Sequence, residues 1–433
     1  MELSRRYNWP LFYCLITVVK AYTVFETTCP IPAAPASFVS SPNTRGTLDI
    51  LWSSVFTVIA CTWTLQHPNI PEQRNGRDPG QLGDVKWRLR GSYNSVMRML
   101  WAVIAPEIII SAACGDLIEA SHSNRELQEY AAQDGVKWTL AHSYYANMGG
   151  FIIRSKPTRI NAYHDPYHLN AYGMYALRRR NYLQKLPDIA TEELDDRSKS
   201  DGFVKVIAVG QIAWTILQIL VRTARNLTNS PLEIAVVAFA VCAVIIYGLY
   251  WKKPQRICAT ETILQYPQDI PGEVLQALQE KHADDRFLAE LFLVRKHVPL
   301  PGSRISIASS KRIGSKALLV VSTGTVGAAI FGGIHAAAWN FAFPSTAEKV
   351  LWRCASIYSA VSPFYCLLHF AVASGAKSRR KSTDLLSILI LPLLGGLYVA
   401  ARLFVLIEVV RTLCFLPPDA FVATWTSNIP HIV

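Results

Sequence analysis

The sequence predicts an all-α protein, a polytopic bundle of transmembrane helices with about eight spans, or nine if an N-terminal apolar segment is retained. Three observations support this class. The 433 residues are 51% hydrophobic and 17% charged, whereas about 25% of the residues in a soluble domain are charged. Several windows hold about 18 or more mostly apolar residues, the length that crosses ~30 Å of hydrocarbon. These windows do not alternate between apolar and polar residues, as the strands of a transmembrane barrel would.

The N-terminal apolar segment covers residues 9–25 and follows two arginines, Arg5 and Arg6. Residues 1–37 therefore form either a signal peptide, with a cleavage site among the small residues 32–37, or a first span. The remainder, 38–433, is predicted to be a single membrane domain.

Eight further segments are predicted to cross the membrane. They are residues 48–65, 99–116, 138–153, 203–221, 231–251, 317–341, 350–374 and 385–410. The span at 99–116 is unusual because Pro106 and Glu107 lie in its middle. The segment 138–153 is short and only half apolar, and its composition alone is typical of a re-entrant or amphipathic segment.

The distribution of basic residues favours a crossing at 138–153. With that crossing, one side of the membrane receives 30 Lys and Arg and the other side, which includes loop 116–137, receives 6. The basic loops are 66–98, 154–202, 252–316 and 375–384. Basic loops remain in the cytosol, so the C-terminus is predicted to be lumenal, in the endoplasmic reticulum or another endomembrane. The net charge of +12 thus reflects membrane topology, and no nucleic-acid partner is predicted.

Two smaller features follow from this topology. The cytosolic loop 252–316 contains a stretch with helical periodicity, 273–294, which predicts an amphipathic helix. The sequon that begins at Asn226 lies on the lumenal side and predicts a glycosylation site.

Motifs for cofactors are missing from the sequence. The nine cysteines form no CxxC pair, so no zinc site is predicted. His164 and His168 have the HxxxH spacing of a di-iron hydroxylase, but such an enzyme needs several histidine clusters. There is no P-loop, no dinucleotide fingerprint and no Asp-rich motif for a magnesium-bound diphosphate. We therefore predict no cofactor and no metal.

Polar and ionisable side chains inside the predicted spans define the candidate site, since such groups are costly in a membrane and mark function by default. They are concentrated toward the lumenal half, where they predict a polar and aromatic pocket. The candidate catalytic residues are Glu107, His335, Arg402 and Glu408. The candidate substrate-binding residues are Trp101, His142, Tyr144, Tyr145, Trp339 and Asn340.

Structural roles explain some polar and small residues equally well. Glu348 suits a capping box that begins at Ser345. Arg402 and Glu408 can pair with partners on neighbouring helices. Four glycines suit close packing between membrane helices; these are Gly324, Gly327, Gly332 and Gly333.

Long stretches of the chain resemble a large fungal family of polytopic membrane proteins. They are TRGTLDILWSSVFTVIACTWTLQHPNIP, DDRSKSDGFVKVIAVGQIAWTILQILVRTARNL, YWKKP, GGIHAAAWNFAFPSTAEKVLWR and the C-terminal YVAARLFVLIEVVRTLCFLPPDAFVATWTSNIPHIV. This family resembles the fungal membrane-bound terpene cyclases of the ascochlorin, ascofuranone and macrophorin type. The resemblance implies a meroterpenoid pathway of secondary metabolism. It also implies cyclisation of the farnesyl-derived tail of a prenylated ring compound by protonation of an epoxide or alkene. It carries over no catalytic motif.

Protonation-initiated cyclisation is compatible with the candidate residues. It needs a carboxylic acid kept neutral by burial, aromatic faces that stabilise a carbocation and exclusion of water. We hypothesise that Glu107 or Glu408 is the proton donor, with His335 as its orienting group or the final base. Arg402 would hold a second carboxylate ionised. The cation-stabilising wall would consist of Trp101, Tyr144, Tyr145 and Trp339. The substrate would be a hydrophobic prenylated small molecule that enters from the membrane lipids.

Two other functions fit the same residues. A transporter or lipid-binding membrane protein would use the buried charges as a relay or a counter-ion pair, although no internal repeat is evident, as would be typical of many secondary transporters. A receptor or scaffold would act through loops 154–202 and 252–316.

Overall fold

The computed structural model describes residues 44–71, 80–155, 166–198, 202–279, 313–375 and 382–424. Within these ranges the protein is mostly helical, as the sequence predicts, with twelve α-helices. The all-α class is wrong in one respect, because three short strands form a sheet. The predicted segment 1–37 and most of the predicted amphipathic helix 273–294 lie outside the described residues.

The helices are α1 Thr47–Thr64, α2 Gly80–Ile104, α3 Pro106–Asp134, α4 Leu140–Asn147, α5 Ala171–Arg179, α6 Thr191–Arg197, α7 Gly202–Ala224, α8 Pro231–Leu249, α9 Gly272–Gln279, α10 Ile313–Ala336, α11 Thr346–Gly375 and α12 Ser382–Arg411. The strands are β1 Phe151–Arg154, β2 Tyr167–Leu169 and β3 Glu261–Gln265. Two short 3₁₀ helices, Thr412–Phe415 and Pro418–Phe421, follow α12.

Five of the described helices are long and apolar enough to cross a membrane, which makes this a membrane protein by helix length and composition. Their apolar windows are Thr47–Thr64 in α1, Val206–Ala224 in α7, Pro231–Leu249 in α8, Leu318–Ala336 in α10 and Pro392–Phe415 at the end of α12. The pair of α2 and α3 meets the same criteria only when taken together, and it bends by 110° at its junction.

Helix α11 contains the predicted span 350–374 but is not among these five. It nevertheless runs antiparallel between α10 and α12. Thr325 of α10 lies with its hydroxyl 3.4 Å from the Pro363 carbonyl, and Tyr358 donates to the Leu394 carbonyl of α12 at 3.0 Å. At the start of α11, Glu348 pairs with Arg411 at the end of α12. Because α11 packs antiparallel to both of these apolar helices, it traverses the bundle between them.

The predicted span at 99–116 is interrupted in the structure by a bend of 110°. The chain breaks at Ala105, α3 starts with proline at its first position, and α3 then continues to Asp134. Proline is favoured there because its missing N–H would have no helical partner. Most of the predicted loop 66–98 is helix α2. Its Arg98 donates to Gln66, just beyond α1, at 3.4 Å.

The predicted span at 138–153 is also wrong. Helix α4 has eight residues, about 12 Å in length, and β1 begins four residues later. Strand β1 pairs antiparallel with β2 and parallel with β3. The run Phe151–Ile153 is fully buried, and its β-branched residues suit the middle of a sheet. A protein core therefore accounts for the apolar character of this segment.

The second half of α3 packs with α4–α6, α9 and the three strands around one apolar core, and we call this unit the α/β domain. Its buried core includes Leu127, Tyr145, Phe151, Met174 and Leu278. The predicted loops 154–202 and 252–316 thus contribute to one folded unit as far as they are described. The domain is joined to the bundle by Gln255, whose amide donates to the Thr64 carbonyl at 2.6 Å and the Gln66 carbonyl at 3.0 Å.

Asp134 fixes the end of α3 within the α/β domain. Its carboxylate accepts hydrogen bonds from Arg178 Nε at 3.0 Å, Arg178 Nη2 at 2.6 Å and the Leu186 amide at 2.8 Å. Residues 116–137 therefore lie beside 166–198, and the prediction that places them on opposite sides is wrong.

A second set of buried charges lies at the end of the bundle opposite the α/β domain. Arg45 pairs with Glu233 at 2.6 Å, and Arg222 donates to the carbonyls of Thr228 and Val422 at 2.7 Å each. Thr44 also forms a β-bridge with Val422. The segments before α1 and after α12 thus meet at the same end of the bundle.

Glycines on two faces of α10 let neighbouring helices approach closely. A Cβ added at Gly327 would lie 2.7 Å from Ile110 of α3 and 3.5 Å from the Cβ of Glu107. A Cβ at Gly332 would lie 2.6 Å from the Ala360 backbone nitrogen of α11. The predicted packing roles of Gly327 and Gly332 are therefore confirmed. The role of Gly324 is confirmed as well, since a Cβ there would collide with Ser111. Gly333 faces open space.

We predict that Gly332→Ala destabilises the bundle and that Gly333→Ala does not. The added methyl at Gly332 must push α11 away, and such overpacking costs about 1–3 kcal/mol. At Gly333 the change is neutral or favourable by up to ~1 kcal/mol because alanine prefers helix. Thermal unfolding of both variants in detergent measures the difference. Equal melting temperatures would contradict the close α10–α11 contact.

We also predict that Asp134→Asn loosens the α/β domain. The hydrogen bonds from Arg178 lower the pKa of Asp134, ahead of the smaller effect of the Leu186 amide. A lowered carboxyl pKa adds stability above the unfolded pKa of about 3.9, and this stability is lost as the pH falls through the lower folded value. Hydrogen exchange around Leu186 should be faster in Asp134→Asn at neutral pH, while exposed Glu129→Gln leaves it unchanged. Wild-type protein should lose the same protection only below about pH 4. Unchanged exchange in Asp134→Asn would show that the pair does not hold the domain.

Candidate functional site

Three side chains form a closed hydrogen-bonded ring inside the bundle. Arg402 of α12 donates from Nη2 to Glu107 Oε2 at 2.7 Å and from Nε to the Tyr398 hydroxyl at 2.7 Å. Tyr398 in turn donates to Glu107 Oε1. The side chains of Arg402 and Glu107 are 3% and 7% exposed. This ring combines a buried ion pair with a phenol that contacts both charges.

The local sequence explains how these groups meet. The break at Ala105 turns the first residues of α3 into the bundle, and Glu107 then lies in the first helical turn. A carboxylate is favoured there by the unpaired N–H groups and the helix dipole. Tyr398 and Arg402 are four residues apart and share one face of α12. Glu107 lies nine residues before Asp116, or about 13 Å along α3, which places it deep in the bundle.

A row of aromatic side chains extends from the hydrogen-bonded cluster of charged groups toward the end of the bundle that holds Arg45. The Arg402 guanidinium lies 3.9 Å from the centroid of Phe331. Phe331 lies 4.4 Å from the His335 ring, and His335 lies 5.9 Å from Trp352. Phe343 continues the row at 5.4 Å from Trp352.

His335 has a defined orientation in this row. Its Nδ1 lies 2.8 Å from the Phe331 carbonyl, and a carbonyl can only accept, so we assign the proton to Nδ1. Nε2 then carries the free lone pair. The backbone of His335 is also fixed, because Trp352 donates to its carbonyl at 3.1 Å.

Glu408 is a buried acid with one carboxyl oxygen that has no hydrogen-bond partner in the described part of the chain. The residue is 1% exposed, and its Oε1 has no hydrogen-bond partner there. It follows Arg402 by six residues, about 9 Å along α12. Its neighbours Val405 and Val409 pack in one apolar cluster with Trp352. The nearby Arg411 pairs with Glu348. Glu348 also forms the predicted capping box with Ser345.

The structure places three of the predicted substrate-binding residues in the α/β domain, away from Glu107. His142 bonds to the Thr139 amide at 3.1 Å and to the Ile189 carbonyl at 2.8 Å. Burial lowers the pKa of His142, so its ring is neutral near pH 7. Tyr144 donates to the Leu249 carbonyl at 3.1 Å and Tyr145 to the Ala259 carbonyl at 3.0 Å. These residues join α4 to the end of α8 and the segment after it.

The other predicted binding residues lie at the surface of the bundle. Trp101 of α2 is 50% exposed. Trp339 lies beneath Arg353, whose guanidinium is 4.7 Å from the ring centroid and 3.4 Å from the Asn340 side-chain oxygen. The structure therefore brings together Glu107, Arg402 and His335, and all six predicted binding residues lie outside this cluster. Asn226 of the sequon is exposed in a left-handed conformation just after α7.

A small polar cleft lies where the bundle meets the α/β domain. It is lined by Asn69, Asp116, Glu119, Tyr144, Asn147, Met148, Asn170 and Lys253. Asp116 accepts hydrogen bonds from Lys253 at 2.6 Å and Tyr250 at 2.9 Å. No group of three potential metal ligands occurs among the residues that the structure describes.

The sequence analysis missed Tyr398, Phe331 and the partners of Asp116. Tyr398 has a usable signal, since it lies one helical turn before Arg402 on an apolar helix. Phe331 has the same spacing before His335. Lys253 gives no such signal, because its partner lies on a distant part of the chain.

The fold and this site define the class as a mostly helical membrane protein with an ion pair buried in its bundle. The model of a family described as "Family of unknown function (DUF8562)" matches residues 18–277, and the chain belongs to that family. The match includes Glu107 and the described α/β domain except for the last two residues of α9, and it ends before α10–α12. Searches of curated proteins and of solved structures found no match.

We predict a strong energetic coupling between Glu107 and Arg402. Glu107→Gln leaves the Arg402 charge buried without its counter-ion, which costs about 3–5 kcal/mol. The double variant Glu107→Met/Arg402→Met removes both charges and should recover most of that loss. Tyr398→Phe removes one bond to a charged group and should cost about 1.5–3 kcal/mol. Thermal unfolding in detergent measures all three. A double variant at least as destabilised as Glu107→Gln would contradict the ion pair.

Proposed function

We propose that this protein is an integral membrane terpene cyclase of the endoplasmic reticulum or another endomembrane. Its substrate is a prenylated small molecule of meroterpenoid biosynthesis, whose farnesyl-derived tail is cyclised after protonation. The observation that carries the proposal is Glu408, a fully buried carboxyl with an unpaired oxygen on the α12 face that packs with Trp352. An unpaired charge is very costly in an apolar interior, so this carboxyl is expected to hold its proton and to be able to deliver it.

The proton returns to the protein at the end of the reaction. Glu408 gives its proton to an alkene carbon or an epoxide oxygen, and the resulting carbocation is attacked by the next double bond. The last cation loses a proton to the lone pair on His335 Nε2, so the product is an isomer of the substrate. Trp352 and Phe343 supply the π-faces that stabilise the moving cation. No metal or redox cofactor takes part in these steps.

Glu107 has a different role in this proposal from that of Glu408. Its ion pair with Arg402 makes it a carboxylate, which cannot donate a proton. The pair neutralises Arg402 beside Phe331, so that a fixed positive charge does not repel the carbocation. The hypothesis that Arg402 holds a second carboxylate ionised thus applies to Glu107.

The positions of the helix ends support a specific membrane topology. We propose six crossings after residue 43, by α1, α7, α8, α10, α11 and α12. Helices α2 and α3 enter and leave at the end of the α/β domain, and the basic segments place that domain in the cytosol. Asn226 then faces the lumen with the C-terminus, where it is a candidate for glycosylation.

A transporter is the second candidate, and the break between α2 and α3 favours it. A helix interrupted at mid-depth, with a charge at the N-terminus of its second half, resembles the substrate sites of secondary transporters. In that case the Glu107–Arg402 pair would open to bind an ion or a polar group.

The test is turnover in membranes that contain the full chain. A farnesylated phenol with a terminal alkene, or with a terminal epoxide, is the probe. Wild-type membranes should form a cyclised isomer. Glu408→Gln should lose about 10²–10⁴-fold in rate, the usual contribution of a general acid, while its melting temperature stays near that of wild type.

Glu348→Gln is the matched control, since it removes a nearby carboxyl that caps a helix, and it should retain turnover. Equal rates for Glu408→Gln and wild type would refute the donor assignment. Uptake of unchanged probe into vesicles under an ion gradient, without an isomer, would establish the transporter instead.

A further inference from the structure

We propose that α2 is an interfacial helix that lies in the membrane surface on the side of the α/β domain and binds the phosphate headgroups of anionic phospholipids. This inference concerns a surface outside the ring of Glu107, Tyr398 and Arg402, and it does not depend on the reaction.

An apolar stripe runs along the exposed side of α2. Its members follow each other at spacings of three or four residues, which places them within an arc of about 100° on a helix. They are Leu82, Val85, Leu89, Tyr93, Val96 and Leu100, which are 42–88% exposed. A stripe of this length on a soluble surface would be unfavourable, so it requires an apolar environment.

Basic residues flank the stripe on both sides. Lys86 and Arg90 follow one edge and Arg88 the other, and all three are exposed. Long basic side chains beside an apolar stripe are typical of helices that lie at a membrane surface, where their charged ends reach the phosphates. Near the end of α2 the opposite face contacts the protein, since Arg98 donates to Gln66.

The direction of α2 suits a position along the membrane surface. Helix α3 runs from Glu107 deep in the bundle to Asp134 in the α/β domain, and α2 meets it at a bend of 110°. The axis of α2 is therefore closer to perpendicular than to parallel to the axis of α3. It slants gradually from the level of the domain toward the bundle interior, where Ala105 follows.

A lipid bilayer is the occupant that these features favour over a protein. The stripe continues into Trp101, which is 50% exposed, at the end of α2 that enters the bundle. On the bundle surface, α7 exposes Val206 and Val209 as a membrane-facing helix does. The three flanking positive charges are attracted more strongly to anionic headgroups, which carry net negative charge, than to zwitterionic ones.

Cysteine accessibility tests the position of the stripe. Leu89→Cys lies in the stripe, and Gly91→Cys lies on the opposite side of the helix, where an added side chain meets open space. Both variants of the full chain are reconstituted in lipid vesicles and treated with a water-soluble maleimide, with the parent chain as the background for its native cysteines. Leu89→Cys should react about tenfold or more slowly than Gly91→Cys, since the stripe is buried in the acyl region.

Equal reaction rates would overturn the proposal. Protection of Leu89→Cys that disappears when the protein is diluted in lipid would also overturn it, because the stripe would then cover a second copy of this chain.

Lipid selectivity tests the basic flanks. The full chain is purified from vesicles of phosphatidylcholine and phosphatidylserine, and the ratio of the two retained lipids is measured by mass spectrometry. Wild-type protein should retain more phosphatidylserine than the vesicle ratio, and Lys86→Gln/Arg88→Gln/Arg90→Gln should fall to the vesicle ratio. The control Arg125→Gln/Arg179→Gln/Lys185→Gln removes the same charge from exposed positions of the α/β domain and should match wild type. Equal losses in both triple variants, or no loss in either, would refute the proposal.

Discussion

The structure depends on a buried ion pair, because the charges of Glu107 and Arg402 would each be prohibitively costly in an apolar bundle without the other. Pairing them requires the first turn of α3 to lie deep among α10 and α12. That position in turn requires the break at Ala105 and the glycines of α10, since a side chain at Gly327 would collide with Ile110. The Glu107–Arg402 ion pair therefore accounts for the break in the backbone between α2 and α3.

Helix α3 also connects this pair to the α/β domain. Along one helix, Glu107 binds Arg402, Asp116 binds Lys253 and Asp134 binds Arg178. These three carboxylates fix the helix at the bundle interior, at the junction and within the domain. The position of the ion pair is thus coupled to the position of the domain. If the pair surrounds a reaction site, the domain is part of the scaffold that holds it.

The sequence predicted the membrane class and the order of the crossing helices better than it predicted individual segments. Residues 138–153 are apolar because β1 and α4 fill a protein core, and an apolar core segment has the same composition as a short span. Residues 99–116 contain a break before Pro106. A proline is compatible with such a break, but its presence alone does not predict one. Both segments were counted as crossings, and removing both leaves the predicted orientation of the later helices unchanged. The predicted sidedness of the basic segments is therefore also unchanged. Glu107, His335 and Arg402 were identified because ionisable groups are rare in spans. Tyr398 and Phe331 were missed because their composition is ordinary for a membrane helix.

The central claim is that two buried glutamates differ in protonation, with Glu408 a neutral acid and Glu107 a carboxylate. Infrared difference spectroscopy of the full chain in membranes measures this directly. Subtracting the spectrum of Glu408→Gln from that of wild type should reveal a protonated carboxyl band near neutral pH. The corresponding subtraction for Glu107→Gln should reveal only carboxylate bands. A carboxylate signal from Glu408, or a protonated band from Glu107, would contradict the account.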